Sequence, residues 1–309
     1  MKELINLQGL GKAGVEKLNS AGIFDLLGLA VQNPASLSEI TGVSVPMARK
    51  LIAKAKEELN FTYETGDVID KRRKEMIKIS TGCKPIDDMM GGGFESGSIT
   101  EVYAEFSAGK TQLAHYLCCK TLKDYPDAIV YYVDTEGCFR PERIRDFCEG
   151  LEMDPDDTLK KIRTYKVFNF EHQVLTVEEL DKTIAKNKEN VKLIIVDSIA
   201  GYMRLMSGRG QLAERQQILN KHIHQLDKMA DVYNCCVFIT NQVMSNPGGY
   251  GLSVMPVGGN ILGHNVSSRI YLRKGTKDSR VAKLVDSPHL PISDASFTIT
   301  KTGIEEFEK

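Results

Sequence analysis

The sequence predicts an α/β protein with a central, mostly parallel sheet, preceded by a small all-α unit. Four short runs are apolar on both faces, which is typical of buried central strands. Amphipathic helical patterns separate them, and strands that alternate with helices favour a parallel sheet with right-handed crossovers. The four strand runs are residues 98–106, 128–137, 191–200 and 235–242, and two of the helical stretches are 111–125 and 214–233.

Three more β-rich runs lie near the end of the chain. They are residues 267–275, 280–288 and 295–303, and no helical pattern separates them. Short connections without a helix are typical of neighbouring antiparallel strands. These runs are therefore predicted to extend the sheet in antiparallel fashion.

Residues 1–60 are predicted to form the helical unit. Residues 7–12 and 40–44 share a pattern in which a glycine turn leads into a helix. Such a turn exposes backbone N–H groups that suit a phosphate, but the glycines could equally only turn the chain in a packing module. The second helix has the clearer signals, with Ser44 as N-cap and Pro46 in the first turn. Its predicted apolar face is Met47, Leu51, Ile52 and Ala55.

The composition is that of an ordinary globular protein and excludes several classes. Of the 309 residues, 42% are hydrophobic and 26% charged, which argues against a disordered chain. The 40 basic and 41 acidic residues give a net charge of −1, so a nucleic-acid site would depend on local patches. No apolar run approaches the roughly 20 residues of a membrane span, and the first residues lack a secretory pattern. We therefore expect a cytoplasmic protein without membrane contact.

The seven cysteines show no metal-binding or disulfide pattern. Their number is odd, and no C-x-x-C pair occurs. We expect reduced thiols that pack as small apolar side chains. Residues 61–78 are polar and charged and are predicted to be a linker, which leaves 79–309 as the α/β core.

The strongest chemical signal is the phosphate-binding loop Ala-Glu-Phe-Ser-Ala-Gly-Lys-Thr at 104–111. It follows a predicted strand and opens a helix, the context that a Walker A loop requires. Lys110 would contact the β- and γ-phosphates, and the Thr111 hydroxyl would bind Mg²⁺. The motif expects glycine at position 104, where this chain has Ala104. Backbone angles that only glycine adopts freely would cost alanine about 1 kcal/mol or more.

Three polar residues at strand ends are predicted to complete this site. Asp197 follows a buried strand and could hold Mg²⁺ through water, although it could instead cap the next helix. Glu136 follows the neighbouring run and could polarise the attacking water as a general base. Gln242 ends a third run, where its amide could sense the γ-phosphate and signal to the next loop.

At this point the chain resembles one family over nearly its whole length. It is similar to the archaeal RadA recombinases and their eukaryotic homologues, the RecA-like DNA strand-exchange proteins. The matching stretches are 79–82, 91–102, 109–115, 134–145, 193–198, 207–217, 238–243, 256–264 and 286–291. The resemblance implies a RecA-like P-loop ATPase core preceded by a helix-hairpin-helix domain that binds duplex DNA.

The resemblance also implies roles for particular residues. Arg143 matches an arginine that stacks on adenine, and Gln242 a glutamine that links the γ-phosphate to the second DNA-binding loop. Nucleotide-binding positions are Ser107, Ala108, Gly109, Lys110, Thr111, Gln112 and Arg143, with Thr111 and Asp197 at the metal. Contacts to a neighbouring protomer's ATP are assigned to His264, Asp286, Pro288 and Pro291. DNA contacts are assigned to Arg204, Arg209 and Arg215, to Gly258 and Gly259 at the end of the second loop (about 243–259), and to Gly9 and Gly11.

Two departures from the family pattern concern its interfaces. Relatives join protomers through F-x-x-A in the linker, and this chain has Tyr63 and Gly66 at the matching positions. A shifted alignment on Phe61 would place Glu64 where the family has a small residue, so we prefer Tyr63. In addition, no lysine or arginine occurs between Gln242 and Arg269.

These features predict an ATP-dependent DNA recombinase that coats single-stranded DNA and exchanges strands with duplex DNA. The resemblance implies ATP and Mg²⁺, with K⁺ as a further ion, and a homo-oligomer that is a helical filament or a ring in the nucleoid. The alternative is a non-exchanging, ATP-binding accessory paralogue, which Ala104 and the uncharged second loop favour. A RecA-fold phosphotransferase or motor would require further domains or a substrate hydroxyl site.

Overall fold

The computed structural model describes residues 4, 7, 11–21, 23, 25–59, 63, 65–202, 212–245 and 254–307. They form two compact units, Met1–Lys74 with Lys182–Lys188 and Glu75–Asp181 with Glu189–Lys309. The helices are α1 (Lys12–Ser20), α2 (Leu26–Ala30), α3 (Pro34–Thr41), α4 (Val45–Glu58), α5 (Gly66–Lys74), α6 (Lys84–Met89), α7 (Lys110–Asp124), α8 (Pro141–Gly150), α9 (Pro155–Lys161), α10 (Phe170–Asn187), α11 (Leu212–Tyr233) and α12 (Gly259–Asn265). The strands are β1 (Lys78–Ile79), β2 (Phe94–Glu95), β3 (Ser98–Ala104), β4 (Ile129–Asp134), β5 (Ile162–Lys166), β6 (Val191–Asp197), β7 (Cys236–Ser245), β8 (Val254–Pro256), β9 (Ser268–Lys274), β10 (Ser279–Asp286), β11 (Ser293–Ile299) and β12 (Ile304–Glu306).

The smaller unit packs α1–α4 around a core of leucines and alanines. Within it, Asn33 caps α3 through a hydrogen bond from the Ala35 N–H, and Gly42 ends that helix with φ +71°. Ser44 precedes α4 as predicted. The predicted apolar face of α4 is wrong at one position. Met47, expected to be buried, is 37% exposed, and the next residue, Ala48, is buried instead.

The segment predicted to be a linker contains a helix. α5 covers Gly66–Lys74 and has no buried residue, which fits its charged composition. Tyr63 is 88% exposed. A helix here is compatible with the long charged side chains, because lysine and arginine are good helix formers.

The larger unit is built on one mixed sheet. Its strand order is β12-β11-β10-β9-β3-β7-β6-β4-β5, with β8 paired to β7. The four predicted central runs are confirmed as parallel strands β3, β4, β6 and β7. The predicted antiparallel extension starts one strand later than expected, since β9 pairs parallel to β3 and only β10–β12 are antiparallel.

The parallel strands place their carboxyl ends at one edge of the sheet. Ala104 pairs with Gln242 across β3 and β7, and Asp134 pairs with Asp197 across β4 and β6. The predicted site residues that follow these strands therefore share an edge, where α/β proteins bind ligands.

The thiols are all free, and no helix among the described residues is long and apolar enough to cross a membrane. Six of the seven cysteines are buried, as expected for small apolar side chains, and Cys138 alone is partly exposed.

Gly93 is required by a close approach of the backbone beside β2. Its φ is +137°, and a Cβ there would lie 2.5 Å from the Ile79 carbonyl oxygen. We expect Gly93→Ala to lower the free energy of unfolding by about 2–4 kcal/mol, because backbone strain and a steric shift add. Gly82→Ala is the control, since its φ is +72° but a Cβ there meets nothing within 4 Å. Equal losses in urea denaturation would contradict the steric contribution.

His222 on α11 should make stability depend on pH. Burial lowers the pKa of His222 from 6.5 to about 4. The unfolded chain takes up the proton as the pH falls below about 6.5, whereas the folded chain does so only near 4. Stability is therefore lost over that window, by up to about 3 kcal/mol. The urea midpoint should fall less between pH 7 and 4.5 in His222→Phe than in wild type. In the exposed control His224→Gln it should fall as much as in wild type. An equal fall in wild type and both variants would contradict this cause.

Candidate nucleotide-binding site

A loop between β3 and α7 forms the floor of the candidate site. Ser107 has φ +62° and Gly109 has φ +113°, so the chain turns sharply before Lys110 opens the helix. A cavity of about 470 Å³ lies over this loop. It is lined by Phe106, Ser107, Ala108, Gly109, Lys110, Thr111, Gln112, Glu136, Cys138, Arg140, Arg280 and Ile299.

The prediction of backbone strain at Ala104 is wrong. Ala104 is the last residue of β3, buried and paired with Gln242 on one side and Leu272 on the other. Extended backbone is open to any residue, so a Cβ at this position carries no conformational cost. The left-handed conformation falls instead on Ser107 and Gly109.

Lys110 is poised for an anion. Its Nζ donates hydrogen bonds to the carbonyl oxygens of Ala104 and Glu105, each 3.1 Å away. Burial lowers the pKa of Lys110, and the charges of Asp197 and Glu136 partly oppose that effect. A phosphate would stabilise this half-buried cation further, because it supplies charge-assisted hydrogen-bond acceptors in addition to the carbonyls.

Asp197 is fixed at the end of β6. It is buried, Tyr132 Oη donates to its Oδ2 over 2.7 Å, and Thr240 Oγ1 donates to its Oδ1. Each carboxylate oxygen retains a second lone pair, so both hydrogen bonds are compatible with a water held by a cation. The peptide bond from Asp197 to Ser198 is cis.

Glu136 and Gln242 meet beside the cavity. Gln242 Nε2 donates to Glu136 Oε1 over 2.8 Å, and Ser198 Oγ donates to the same oxygen over 2.7 Å. A second cavity of about 430 Å³ touches both residues and Lys110. The two residues predicted to face the γ-phosphate are thus in direct contact. Ser198 was not predicted, because a serine after a strand aspartate carries no distinctive pattern.

Side chains of Asp134 and His115 fix the loop that carries Glu136. Asp134 Oδ1 accepts the Cys138 N–H at 2.9 Å, and its Oδ2 accepts the Phe139 N–H at 3.1 Å. His115 Nε2 accepts the Arg140 N–H at 3.0 Å, while its Nδ1 lies 2.7 Å from the Thr111 carbonyl oxygen. This bonding requires a neutral imidazole, and burial lowers the pKa of His115 accordingly. Sequence reasoning missed His115, which reads as an ordinary residue of α7.

Arg143 does not line the cavity but bonds Gln112, which does. Its Nε donates to Gln112 Oε1 over 2.5 Å, its Nη2 donates to the Thr300 carbonyl oxygen over 2.6 Å, and its Nη1 donates to that of Lys301. The guanidinium also stacks over Phe147, 3.8 Å from the ring centre. Arg143 therefore orients Gln112 here, and its stacking on adenine stays a prediction.

Several predicted residues are not among those that line this cavity. The predicted contacts to a neighbour's ATP are all exposed and are not among the lining residues; they are His264, Asp286, Pro288 and Pro291. Gly258, with φ +94°, precedes α12, and Gly259 is its first residue. Gly11 precedes α1, and Gly66 starts α5. Gly9, Arg204, Arg209 and the Arg215 side chain lie outside the described residues.

The cavity also contains residues that sequence reasoning missed. Arg140 and Arg280 line it and add positive charge, and Ile299 adds an apolar wall. Phe106 is 95% exposed at its rim. Cys138 lines it too, and burial together with the charges of Asp197, Glu136 and Asp134 raises the pKa of this thiol. Within the described ranges, no group of three or more His, Cys, Asp or Glu side chains could hold a metal.

Comparison with known proteins places the chain in a family. The Rad51 family profile matches residues 72–307. The chain belongs to the Rad51 family. A second profile, a SAM-like helix-hairpin-helix tandem, matches residues 1–57. The Rad51 and helix-hairpin-helix matches confirm the predicted fold class, a RecA-like core preceded by a helix-hairpin-helix domain.

Two relatives of this Rad51-family chain are similar along almost all of it. A protein of Cenarchaeum symbiosum (strain A), named DNA repair and recombination protein RadA, is 41% identical over 99% of this chain and 80% of its own length. A protein of the same name from Aeropyrum pernix (strain ATCC 700893 / DSM 11879 / JCM 9820 / NBRC 100138 / K1) is 40% identical over 100% of this chain and 98% of its own. The predicted resemblance is confirmed.

Proposed function

We propose that this chain is an ATP-dependent DNA recombinase, acting in DNA repair, that pairs and exchanges homologous strands. The observation that carries the proposal is that Lys110, Glu136 and Gln242 line one cavity beside the loop between β3 and α7 in a Rad51-family chain. Its relatives named for DNA repair and recombination support the same function.

The residues of the cavity fit a nucleotide and Mg²⁺. Lys110 would bind the β- and γ-phosphates together with backbone N–H groups of 107–111 and the amino end of α7. Thr111 and Asp197 would hold Mg²⁺, which neutralises phosphate charge when bound. Gln112 and Arg143 would contact the base.

Glu136 would act as the general base for hydrolysis. Its Oε1 is held by Ser198 and Gln242, so the carboxylate is oriented toward the cavity rather than free to rotate. The carboxylate would take a proton from water as the water oxygen attacks the γ-phosphorus. The bond from that phosphorus to the ADP oxygen would break, leaving ADP and phosphate.

DNA would be bound without base readout and at more than one protomer. Arg204, Arg209 and Arg215 would contact phosphates from the first loop, and Gly258 and Gly259 would offer backbone amides from the second. Gly9 and Gly11 would contact duplex DNA. The ATP of a neighbouring protomer would be contacted by His264, Asp286, Pro288 and Pro291. Tyr63 and Gly66 would join one protomer to the next. A filament or ring, and a K⁺ requirement, remain predictions.

The test is steady-state ATP hydrolysis with and without single-stranded DNA, at low and high salt, followed by a strand-exchange assay. We expect DNA to stimulate turnover and salt to reduce the stimulation, because phosphate contacts release counterions. ATP binding without stimulation or exchange would contradict a recombinase. It would favour the accessory paralogue, which the lack of lysine and arginine between Gln242 and Arg269 already makes the second candidate.

A further inference from the structure

A buried polar network lies at the two described ends of the second loop, and none of its residues lines the candidate nucleotide cavity. Asn241 Nδ2 donates to Glu101 Oε1 over 2.7 Å, and Arg269 Nε donates to Glu101 Oε2 over 2.8 Å. Glu101 and Asn241 are fully buried. The network joins three adjacent strands, β3, β7 and β9.

Asn241 connects the two ends of the second loop. Its Oδ1 accepts the Gln242 N–H over 2.8 Å, and its Nδ2 also donates to the Val257 carbonyl oxygen over 2.7 Å. The Val257 N–H in turn donates to the Gln242 carbonyl oxygen over 2.9 Å. Only an amide in this orientation satisfies all these partners, since both Glu101 and Val257 offer oxygens. The residues that begin and end the loop are therefore tied through one side chain.

The network also supports the helix that follows the loop. Arg269 packs so closely under α12 that a Cβ on Gly263 would lie 3.1 Å from its Nη1. Arg269 Nη2 is buried and has no hydrogen-bond partner within the part of the chain that the structure describes. A buried ion pair with an unsatisfied donor contributes little to stability compared with an apolar packing of similar volume. The role of this ion pair is therefore to hold a particular geometry.

We propose that Asn241, held by Glu101, which itself pairs with Arg269, is a positioning residue that keeps the two described ends of the second loop, and α12 after them, in register with Gln242. Gln242 contacts Glu136 through its side chain and Asn241 through its backbone. A shift of Gln242 at the nucleotide is then passed to both loop ends at once. The coupling part of this proposal rests on the proposed function, and the anchoring of the loop ends does not.

The test compares Asn241→Ser with a matched control, Asn265→Ser. Serine is too short to reach Glu101 and Val257. Asn265 is a half-buried amide on α12 that bonds Asn220 Oδ1 over 3.0 Å. Labelled single-stranded DNA is titrated with and without ATP, and the ratio of the two dissociation constants measures coupling. We expect Asn241→Ser to retain ATP binding within about threefold and to lose at least tenfold in this ratio, with less than a twofold change in the control.

Hydrogen exchange in the nucleotide-free chain provides the independent readout. The amides of Gln242 and Val257 should exchange at least tenfold faster in Asn241→Ser than in wild type. Unchanged exchange, or an unchanged coupling ratio in a folded variant whose wild type is ATP-dependent, would overturn the proposal. A wild type with no ATP-dependent DNA binding would defeat the proposed function instead, and exchange would still decide the anchoring.

A second variant guards against unfolding. Glu101→Gln keeps an oxygen that can accept from Asn241 but removes the charge opposite Arg269. It should move both readouts in the same direction, by about threefold or more. Asn241→Ser could fail to fold while Glu101→Gln folds with wild-type hydrogen exchange and a wild-type coupling ratio. In that case the network only stabilises the core, and the proposal is wrong.

Discussion

Lys110→Ala is expected to reduce ATP turnover at saturating single-stranded DNA by about a hundred- to a thousandfold. The half-buried ammonium is held by two backbone carbonyls and lines the cavity. Removing a preorganised donor from a site where charge develops typically costs that much in rate. Affinity should also fall, because the phosphates lose a charge-assisted partner. Turnover is measured by phosphate release and affinity by titration with a fluorescent ATP analogue.

Lys123→Ala provides the matched control for Lys110. Lys123 lies at the other end of α7, is exposed, and donates to the Leu151 carbonyl oxygen over 2.8 Å. Its loss should leave turnover within about twofold, since hydrogen bonds on the surface contribute little. If Lys110→Ala kept a tenth or more of wild-type turnover, Lys110 would not bind the reacting phosphates.

Glu136→Gln is expected to lower kcat by roughly a hundredfold or more while ATP affinity stays within about threefold. General-base catalysis contributes about 10²–10⁴ in rate. Glutamine retains an oxygen that can accept from Ser198 Oγ and Gln242 Nε2, so the local geometry persists while the basicity is lost. Single-turnover hydrolysis and analogue binding separate the two effects.

Ser198→Ala tests whether the hydrogen bond or the base matters. It removes one of the two donors to Glu136 Oε1 and leaves the carboxylate, so kcat should fall by only about fivefold, as expected from about 1 kcal/mol. A loss in Glu136→Gln no larger than that in Ser198→Ala would mean that Glu136 only orients its neighbours.

The central strands were predictable because their chemistry is visible locally. Most residues of β3, β4, β6 and β7 are buried, so these strands are rich in apolar residues. β5 escaped prediction because it lies at the edge of the sheet. Arg163, Thr164 and Lys166 are exposed on it, and the run looks like a loop.

The position of the candidate site residues was predictable where they follow a strand directly. Glu136 and Gln242 could be placed together because parallel strands end at one edge. The same reasoning failed at Ala104, because the motif position assumed to be a turn belongs to β3. Residues brought in from other parts of the chain left no local signal. His115, Arg280 and Ile299 become site residues only through the folded arrangement.

The distribution of the thiols makes the chain suited to site-selective labelling. Cys138 borders the candidate nucleotide cavity, and the other six cysteines are buried. Because the pKa of this thiol is raised from 9.0, an alkylating probe would have to be applied at a more strongly alkaline pH, and it would then attach at the cavity rim without any cysteine being removed from the sequence. A bound nucleotide would occupy the same space and protect it. The natural chain thus contains its own attachment point for following nucleotide occupancy.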